Sequence, residues 1–335
     1  MKLRVGIVGV GGQWESRHLP ALRTLADRFE VRGVCEQVAH RARKAASEVG
    51  TVPVDGFRAL CAQDDVDAIL YLADQWYGAT PILAACDHGK AVYSAISLPL
   101  AEDEAALLRR RIDESGIAFM AELPRRHAPA TVRLKELVAT RLGTPRLLFC
   151  HRRVPLSGRQ GPAAGRDSDS ESRDLVELVD WCRYVAGVEP TSVVAVRHAE
   201  APGGESDDYR MMSLDFSHTG RPGDGPLAQI SCGYYMPQRW EEAVGFRPPP
   251  ALQVVCENGI AFVDLPSQLV WFDTAGRHQE DLEADRPVGE RMLLQFHRAV
   301  TSLVRNVSGL DDALRAMEIV RAAGTSQAEG RRVGL

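Results

Sequence analysis

Gly9-Val10-Gly11-Gly12 follows directly on the short apolar run Leu3-Arg4-Val5-Gly6-Ile7-Val8, and residues 17 to 29 then carry apolar side chains at helical spacing. A second run, Val31-Arg32-Gly33-Val34-Cys35, ends in Glu36. A strand, a glycine turn, a helix and a strand closed by an acid make the first half of a dinucleotide-binding fold. The glycines let backbone N–H groups approach a pyrophosphate, and the helix N-terminus favours its charge. The carboxylate of Glu36 can accept hydrogen bonds from an adenosine ribose. Gly9, Gly11, Gly12 and Glu36 are therefore candidate cofactor-binding residues. Trp14 stands where G-x-G-x-x-G has its third glycine, so helix packing or pyrophosphate approach must differ there, and Trp14 joins the candidates. Glu36 suits the 2′-hydroxyl of NAD, whereas Arg41 and Arg43 behind it could serve the 2′-phosphate of NADP. NAD or NADP is the expected cofactor, with NAD preferred.

These residues need a scaffold. A helix over 38–48 follows Glu36, 66–72 reads as a buried strand, a helix over 79–88 ends at Gly89, and 91–94 is the next strand. A helix over 102–115 stops at Gly116, and 117–120 is another strand. Regular alternation of this kind builds a parallel sheet with helices on both faces and a ligand crevice beyond the carboxyl ends of the strands. After Pro124 the rhythm changes. Helix 130–142, strand 146–154 and helix 174–187 precede a run of strands near 192–197, 209–217, 227–235, 251–256, 259–263 and 268–273. Helices over 286–306 and 310–323 finish the chain. The expected fold is an α/β Rossmann-type nucleotide-binding domain over 1–122, plus an α+β C-terminal domain over 123–335 with a largely antiparallel sheet. The stretch 157–173, rich in Gly, Ser, Arg and Asp, reads as a solvated mobile loop or as a lid over the substrate crevice.

Composition narrows the function. A chain of 335 residues with 45% hydrophobic content can fill two globular cores. Its net charge of −5 leaves no basic footprint for nucleic acid. The seven cysteines are an odd number, scattered and without a CxxC pair, which fits reduced thiols better than a disulfide frame or a zinc site. No apolar run approaches a membrane span or a signal-peptide core, so a soluble cytoplasmic protein with no membrane partner is expected.

Further segments stand in a telling order: Val66-Asp67-Ala68-Ile69, Gly89-Lys90-Ala91-Val92, Pro99-Leu100-Ala101, Arg126-His127-Ala128-Pro129, Glu257-Asn258-Gly259-Ile260 and Asp311-Asp312-Ala313-Leu314. In that order the chain resembles, over nearly its whole length, the glucose-fructose oxidoreductase, inositol dehydrogenase and rhizopine catabolism family (Gfo/Idh/MocA). The resemblance implies NAD(P)-dependent oxidation or reduction of sugars, cyclitols or related small molecules. It also implies a homodimer or homotetramer assembled through the C-terminal sheet, and it adds Ala73, Ser97 and Pro99 to the cofactor-binding candidates.

The same resemblance exposes two departures. The family's catalytic lysine sits in Glu-Lys-Pro, but the matching stretch here is two residues longer and reads Ser97-Leu98-Pro99. Lysines stand only at 2, 44, 90 and 135, and none is placed to replace it. The signature Asp-x-Gly-x-His-x-x-Asp corresponds to Arg173 through Asp180, with Glu177 at the histidine position and Asp180 retained. Hydride chemistry then needs another proton donor or base, a group worth roughly 10²–10⁴ in rate. Glu177 is the leading candidate, because burial and the like charge of Asp180 one turn away can raise its pKa. The plainer alternative pairs Glu177 with Arg173 or Arg183 on a solvated helix face. Tyr93, near the carboxyl end of a strand, could donate to an oxyanion or simply pack, and His127 falls where the family lines its cleft. The expected function is an oxidoreductase of this family acting on a small sugar-like or cyclic metabolite. The alternatives are a redox-neutral lyase, hydrolase or cyclase on the same fold, or a noncatalytic nucleotide-binding scaffold.

Overall fold

Val5, Ile7 and Val8 are all fully buried, as a strand covered on both faces requires. The structure, a computed structural model, describes residues 1–72, 77–95, 100–156, 168–199, 208–217, 221, 223–237, 242, 248–302 and 309–335. They form two units: Met1–Pro124 with Arg286–Leu314, and Arg125–Asp285 with Arg315–Leu335.

In the first unit, β1 (Leu3–Val8), β2 (Phe29–Cys35), β3 (Ala68–Tyr71), β4 (Ala91–Ser94) and β5 (Phe119–Ala121) make a parallel sheet in the order β2-β1-β3-β4-β5. Helices Ala39–Val49, Thr80–Asp87 and Glu102–Ser115 lie along the crossovers. The chain leaves β1 toward β2 on one side and returns to β3 on the other, so the switch point lies beyond the carboxyl ends of β1 and β3. A short helix, Phe57–Cys61, has no signature in the sequence. It approaches the sheet through two strand glycines: a Cβ on Gly6 would lie 2.7 Å from Leu60 Cγ, and one on Gly33 would lie 3.0 Å from Leu60 Cδ1.

Two expectations are corrected here. The helix over 17–29 begins instead as a π-turn, Trp14–His18, and continues as an α-helix over Leu19–Thr24 only. The domain boundary at 122 also fails as a single cut. Helix Val288–Thr301 belongs to the first unit, where Met292, Leu293 and Phe296 share a core with Leu3, Val5 and Tyr93. Gly289 permits the approach, since a Cβ there would lie 2.9 Å from the carbonyl oxygen of Arg17. An amphipathic pattern shows that a face must be covered, not by what.

The second unit holds β6 (Pro145–Leu156), β7 (Ser192–Ala199), β8 (Asp208–Asp215), β9 (Leu227–Pro237), β10 (Leu252–Cys256), β11 (Ile260–Asp264), β12 (Gln268–Asp273), β13 (Gly276–Asp281) and β14 (Val333–Gly334). Their order is β13-β12-β11-β10-β6-β9-β8-β7-β14, antiparallel except for the β6–β9 pair. β13 escaped the sequence reading because Gly-Arg-His-Gln-Glu-Asp lacks an apolar alternation, which an edge strand can do without. One face of the sheet is covered by helices Pro129–Leu137, Ser168–Ala186 and Leu310–Glu329, which bury Leu148, Ile230 and Val254 with Leu178, Trp181 and Ile319. Across the other face, register aligns Phe272, Ile260, Val255, Leu147 and Leu227 in one row. Phe272, Leu147 and Leu227 are exposed. Of the stretch expected as a loop or lid, 157–167 lies outside the described residues and 168–173 belongs to helix Ser168–Ala186. Among the described residues no helix is long and apolar enough to cross a membrane, and no group of three or more His, Cys, Asp or Glu could hold a metal ion.

Candidate functional site

At the end of β1 the chain must turn sharply, and Gly9 does so at φ +73°, a backbone open to glycine without steric penalty. Its N–H donates to Cys35 O at 2.8 Å, while the N–H of Val10 donates to Glu36 Oε2 at 2.6 Å and that of Trp14 to Gly11 O at 3.0 Å. Between them the N–H groups of Gly11, Gly12 and Gln13 have no partner among the described residues. Three successive unpartnered donors at the start of a helical segment are available to an anion. A Cβ on Gly12 would meet nothing within 4 Å, so the space beside the turn is open. Glu36 also accepts from the N–H of Gln37 at 3.0 Å and stays partly exposed, leaving lone pairs for a hydroxyl group. Arg41 donates to the carbonyl of Val10 and steadies the same turn. These residues fit a pyrophosphate and a ribose.

Trp14 behaves otherwise. Its side chain is buried in the core, and its indole N–H donates to Glu48 Oε2 at 2.8 Å. The residue in the third-glycine position thus packs the turn against helix Ala39–Val49, which corrects its place among the cofactor contacts. The π-turn accommodates it, with the N–H groups of Arg17 and His18 both reaching Gln13 O, at 3.0 and 3.2 Å.

The π-turn also meets Glu122, just beyond β5. Arg17 donates to one carboxylate oxygen, and His18 Nε2 lies 3.1 Å from the other. Burial by itself would raise this carboxyl group, but His18 and Arg17 outweigh that and hold it at about 2. The Nδ1 atom of His18 is buried and without a partner. Tyr93 stands edge-on to His18 at 6.4 Å and to Phe296 at 5.7 Å, with its hydroxyl 3.7 Å from Met292 Sδ. Burial, and then the charge of Glu122, push its phenol well above the ordinary value. Tyr93 is a fully buried core residue, which corrects the expectation of an oxyanion donor. Strand alternation could not decide between the two, because both faces of this sheet are covered.

On helix Ser168–Ala186, Asp174, Glu177 and Asp180 are spaced three apart, and each meets an arginine. Arg152 Nε lies 2.8 Å from Asp174 Oδ2, and Arg125 Nε lies 3.2 Å from Glu177 Oε2. Arg126 grips Asp180 with two nitrogens, at 2.7 and 2.5 Å, and Arg183 lies 3.5 Å from the same carboxylate. The expected mutual influence of Glu177 and Asp180 therefore gives way to an ion pair for each, and the partner of Glu177 is Arg125, not Arg173 or Arg183. Asp180 is 1% exposed, a buried anchor. The side chain of Glu177 is 24% exposed. His127 ends the short helix Pro124–His127 and is half-buried. Ala73, Ser97 and Pro99, with Leu98, lie outside the described residues.

The remaining lysines do not fill the gap. Lys90 donates to Gln63 O at 2.9 Å and Val66 O at 2.7 Å, Lys135 to Tyr184 O at 3.0 Å, and Lys44 to Glu15 at 2.8 Å. Arg17, Glu122, Arg125 and Arg126 were not singled out by sequence reasoning as site residues. Nothing local marks them, since their partners are distant in the chain. A groove of about 520 Å³ lined by Lys2, Arg23, Phe29, Arg32 and Asp65 lies at the amino ends of β1 and β2, away from the glycine turn.

Residues 3–96 match the family model for the oxidoreductase family with an NAD-binding Rossmann fold. D-xylose 1-dehydrogenase (NADP(+)) 2 of Haloferax volcanii is 30% identical over 139 residues, 41% of this chain and 42% of that protein. Inositol 2-dehydrogenase 3 of Saccharopolyspora erythraea is 30% identical over 207 residues, 59% of this chain and 57% of that one. The chain thus spans about half the length of the curated relatives it matches. Aldose-aldose oxidoreductase from Caulobacter crescentus, solved with glycerol, shares the fold at a TM-score of 0.83 and 16% identity, covering 100% of both chains. Residues 3–96 are thus similar in sequence to the Gfo/Idh/MocA oxidoreductase family with its NAD-binding Rossmann fold, and the whole chain shares its fold with the aldose-aldose oxidoreductase.

Proposed function

We propose that this protein is an NAD(P)-dependent oxidoreductase acting on a small sugar-like or cyclic metabolite. The observation that carries the reading is the row of unpartnered N–H groups on Gly11, Gly12 and Gln13, set at the end of β1 beside the switch point. That row would hold the pyrophosphate, with the adenosine ribose on Glu36. NAD is preferred, because the carboxylate of Glu36 accepts from a 2′-hydroxyl and repels a 2′-phosphate. When bound, the nicotinamide supplies or receives the hydride. The chain itself must then exchange a proton with the substrate oxygen. Glu177 is the group for that task, since Asp180 and Tyr93 are sealed in the interior and Glu177 keeps access to solvent. Arg125 orients its carboxylate.

The pairing of both helix carboxylates with arginines also favours a second reading, a redox-neutral lyase, hydrolase or cyclase on the same fold. Mass spectrometry and absorbance of the purified protein, followed by assays for nucleotide reduction on sugars and cyclitols, separate the two. Bound or titratable nicotinamide whose redox state changes with substrate supports the oxidoreductase. Nucleotide that binds but never changes state supports the redox-neutral enzyme, and no nucleotide binding sinks the oxidoreductase. The protein is expected to be a homodimer or homotetramer joined through the open sheet face of the second unit.

A further inference from the structure

One arginine on the acidic helix face is out of step with the others. Arg126, 16% exposed, holds Asp180 with two nitrogens. Arg183, 4% exposed, holds Glu189 with two, at 2.8 and 2.6 Å. Arg125 is as deeply set, at 11% exposure, yet makes a single hydrogen bond, from Nε to Glu177, and that one is long at 3.2 Å. A guanidinium carries five N–H donors. The donors on both terminal amino groups of Arg125 have no partner among the described residues, and neither nitrogen is sealed from solvent.

Donors that face solvent beside a buried wall are open to an incoming acceptor, which they meet by giving up water. The group is also fixed in place. Its Cζ lies 5.4 Å above the ring of Trp181, which is fully buried, and Glu177 holds the Nε edge. What remains free is the end-on edge formed by the two terminal amino groups, whose parallel N–H bonds match the two oxygens of a carboxylate. Glu177 already balances the charge of Arg125, so a monoanionic carboxylate is repelled less there than a phosphate dianion.

We propose that Arg125 is the receptor for a carboxylate on the substrate, which makes the substrate a sugar-like or cyclic hydroxy acid and not a neutral polyol. The proposal rests on the oxidoreductase reading given above. In it, Glu177 stands beside the bound acid while holding Arg125 by its inner edge.

The test is calorimetry on the wild type, Arg125→Gln and Arg125→Lys, first with NADH and then, on the NADH-loaded proteins, with D-glucuronate, D-gluconate, D-glucose, myo-inositol and inorganic phosphate. The wild type should bind at least one acid about tenfold or more tighter than the neutral compounds. Arg125→Gln should lose that preference, and Arg125→Lys, which keeps the charge without the planar fork, should recover only part of it. NADH affinity should be the same in all three. No acid bound, neutral compounds bound equally well, phosphate bound in preference, or the preference kept in Arg125→Gln would each overturn the proposal. Should Arg125→Gln not fold, Arg125→Lys decides, since full acid affinity with lysine rules out the fork. A wild type that binds no nicotinamide nucleotide fails the oxidoreductase reading instead, so the two failures are distinguishable.

Discussion

His18 Nε2 lies 3.1 Å from one oxygen of Glu122 while Arg17 donates to the other, so a buried acid beyond β5 grips the turn that follows the glycines. The grip joins the turn after β1 to the end of β5, across the carboxyl ends of β3 and β4. It also carries a pH signature. Glu122 is depressed from 4.5 to about 2 in the folded protein, so its contribution is complete above the unfolded value and is lost as pH falls from there toward 2. For a group this buried the contribution is on the order of 3 kcal/mol. Glu122→Gln should therefore be less stable than the wild type at neutral pH, with the gap closing in acid. Urea melts of both proteins between about pH 3 and 7 check this, and equal stability at pH 7 would refute it.

Gly11 offers a free N–H at the proposed anion site. Gly11→Val should obstruct the approach of a pyrophosphate and weaken NAD(H) binding at least tenfold, about 1.4 kcal/mol or more. Calorimetry on both proteins measures it. The idea fails if the valine variant binds as well as the wild type.

Glu177→Gln keeps the shape and removes the titratable proton. Turnover should fall roughly 10²-fold or more, with cofactor affinity nearly unchanged. Lysine introduced at Leu98 should not restore ordinary dehydrogenase activity, because the stretch before Pro99 is two residues longer than the segment that carries the lysine in the family it resembles. Steady-state kinetics on an active wild type decide. Indifference to Glu177→Gln would move the role to His127, the remaining half-buried candidate.

The row Phe272, Ile260, Val255, Leu147 and Leu227 places apolar side chains on the sheet face opposite the one that helices Pro129–Leu137, Ser168–Ala186 and Leu310–Glu329 cover among the described residues. Leu147→Lys with Phe272→Lys should shift a dimer or tetramer toward monomer without unfolding it. Light scattering at micromolar concentration reads the mass. A wild type that is already monomeric would contradict the proposal.

The sequence by itself determined the strand, glycine turn and acid of residues 3–36, because each is a local matter: an apolar run, a backbone that only glycine adopts easily, a carboxylate at a strand end. It also determined the change from alternating strands and helices to hairpins after Pro124, since turn residues and periodicity act over a few positions. The order of segments carries the resemblance from which the departures at Ser97-Leu98 and Glu177 are inferred. Tertiary structure decided what those residues meet. Arg125 and Glu177 are 52 residues apart, Arg126 and Asp180 54, and Arg17 and Glu122 105, and no local pattern selects one guanidinium among so many arginines. By sequence Trp14 and Tyr93 could be either packing or site residues, and their burial decides for packing; helix Val288–Thr301 joins the first unit although it follows Arg125–Asp285 in the chain. Hydrophobic periodicity states that a face will be covered and a charge that it will be paired, but the choice of partner is made by the packing of the whole chain.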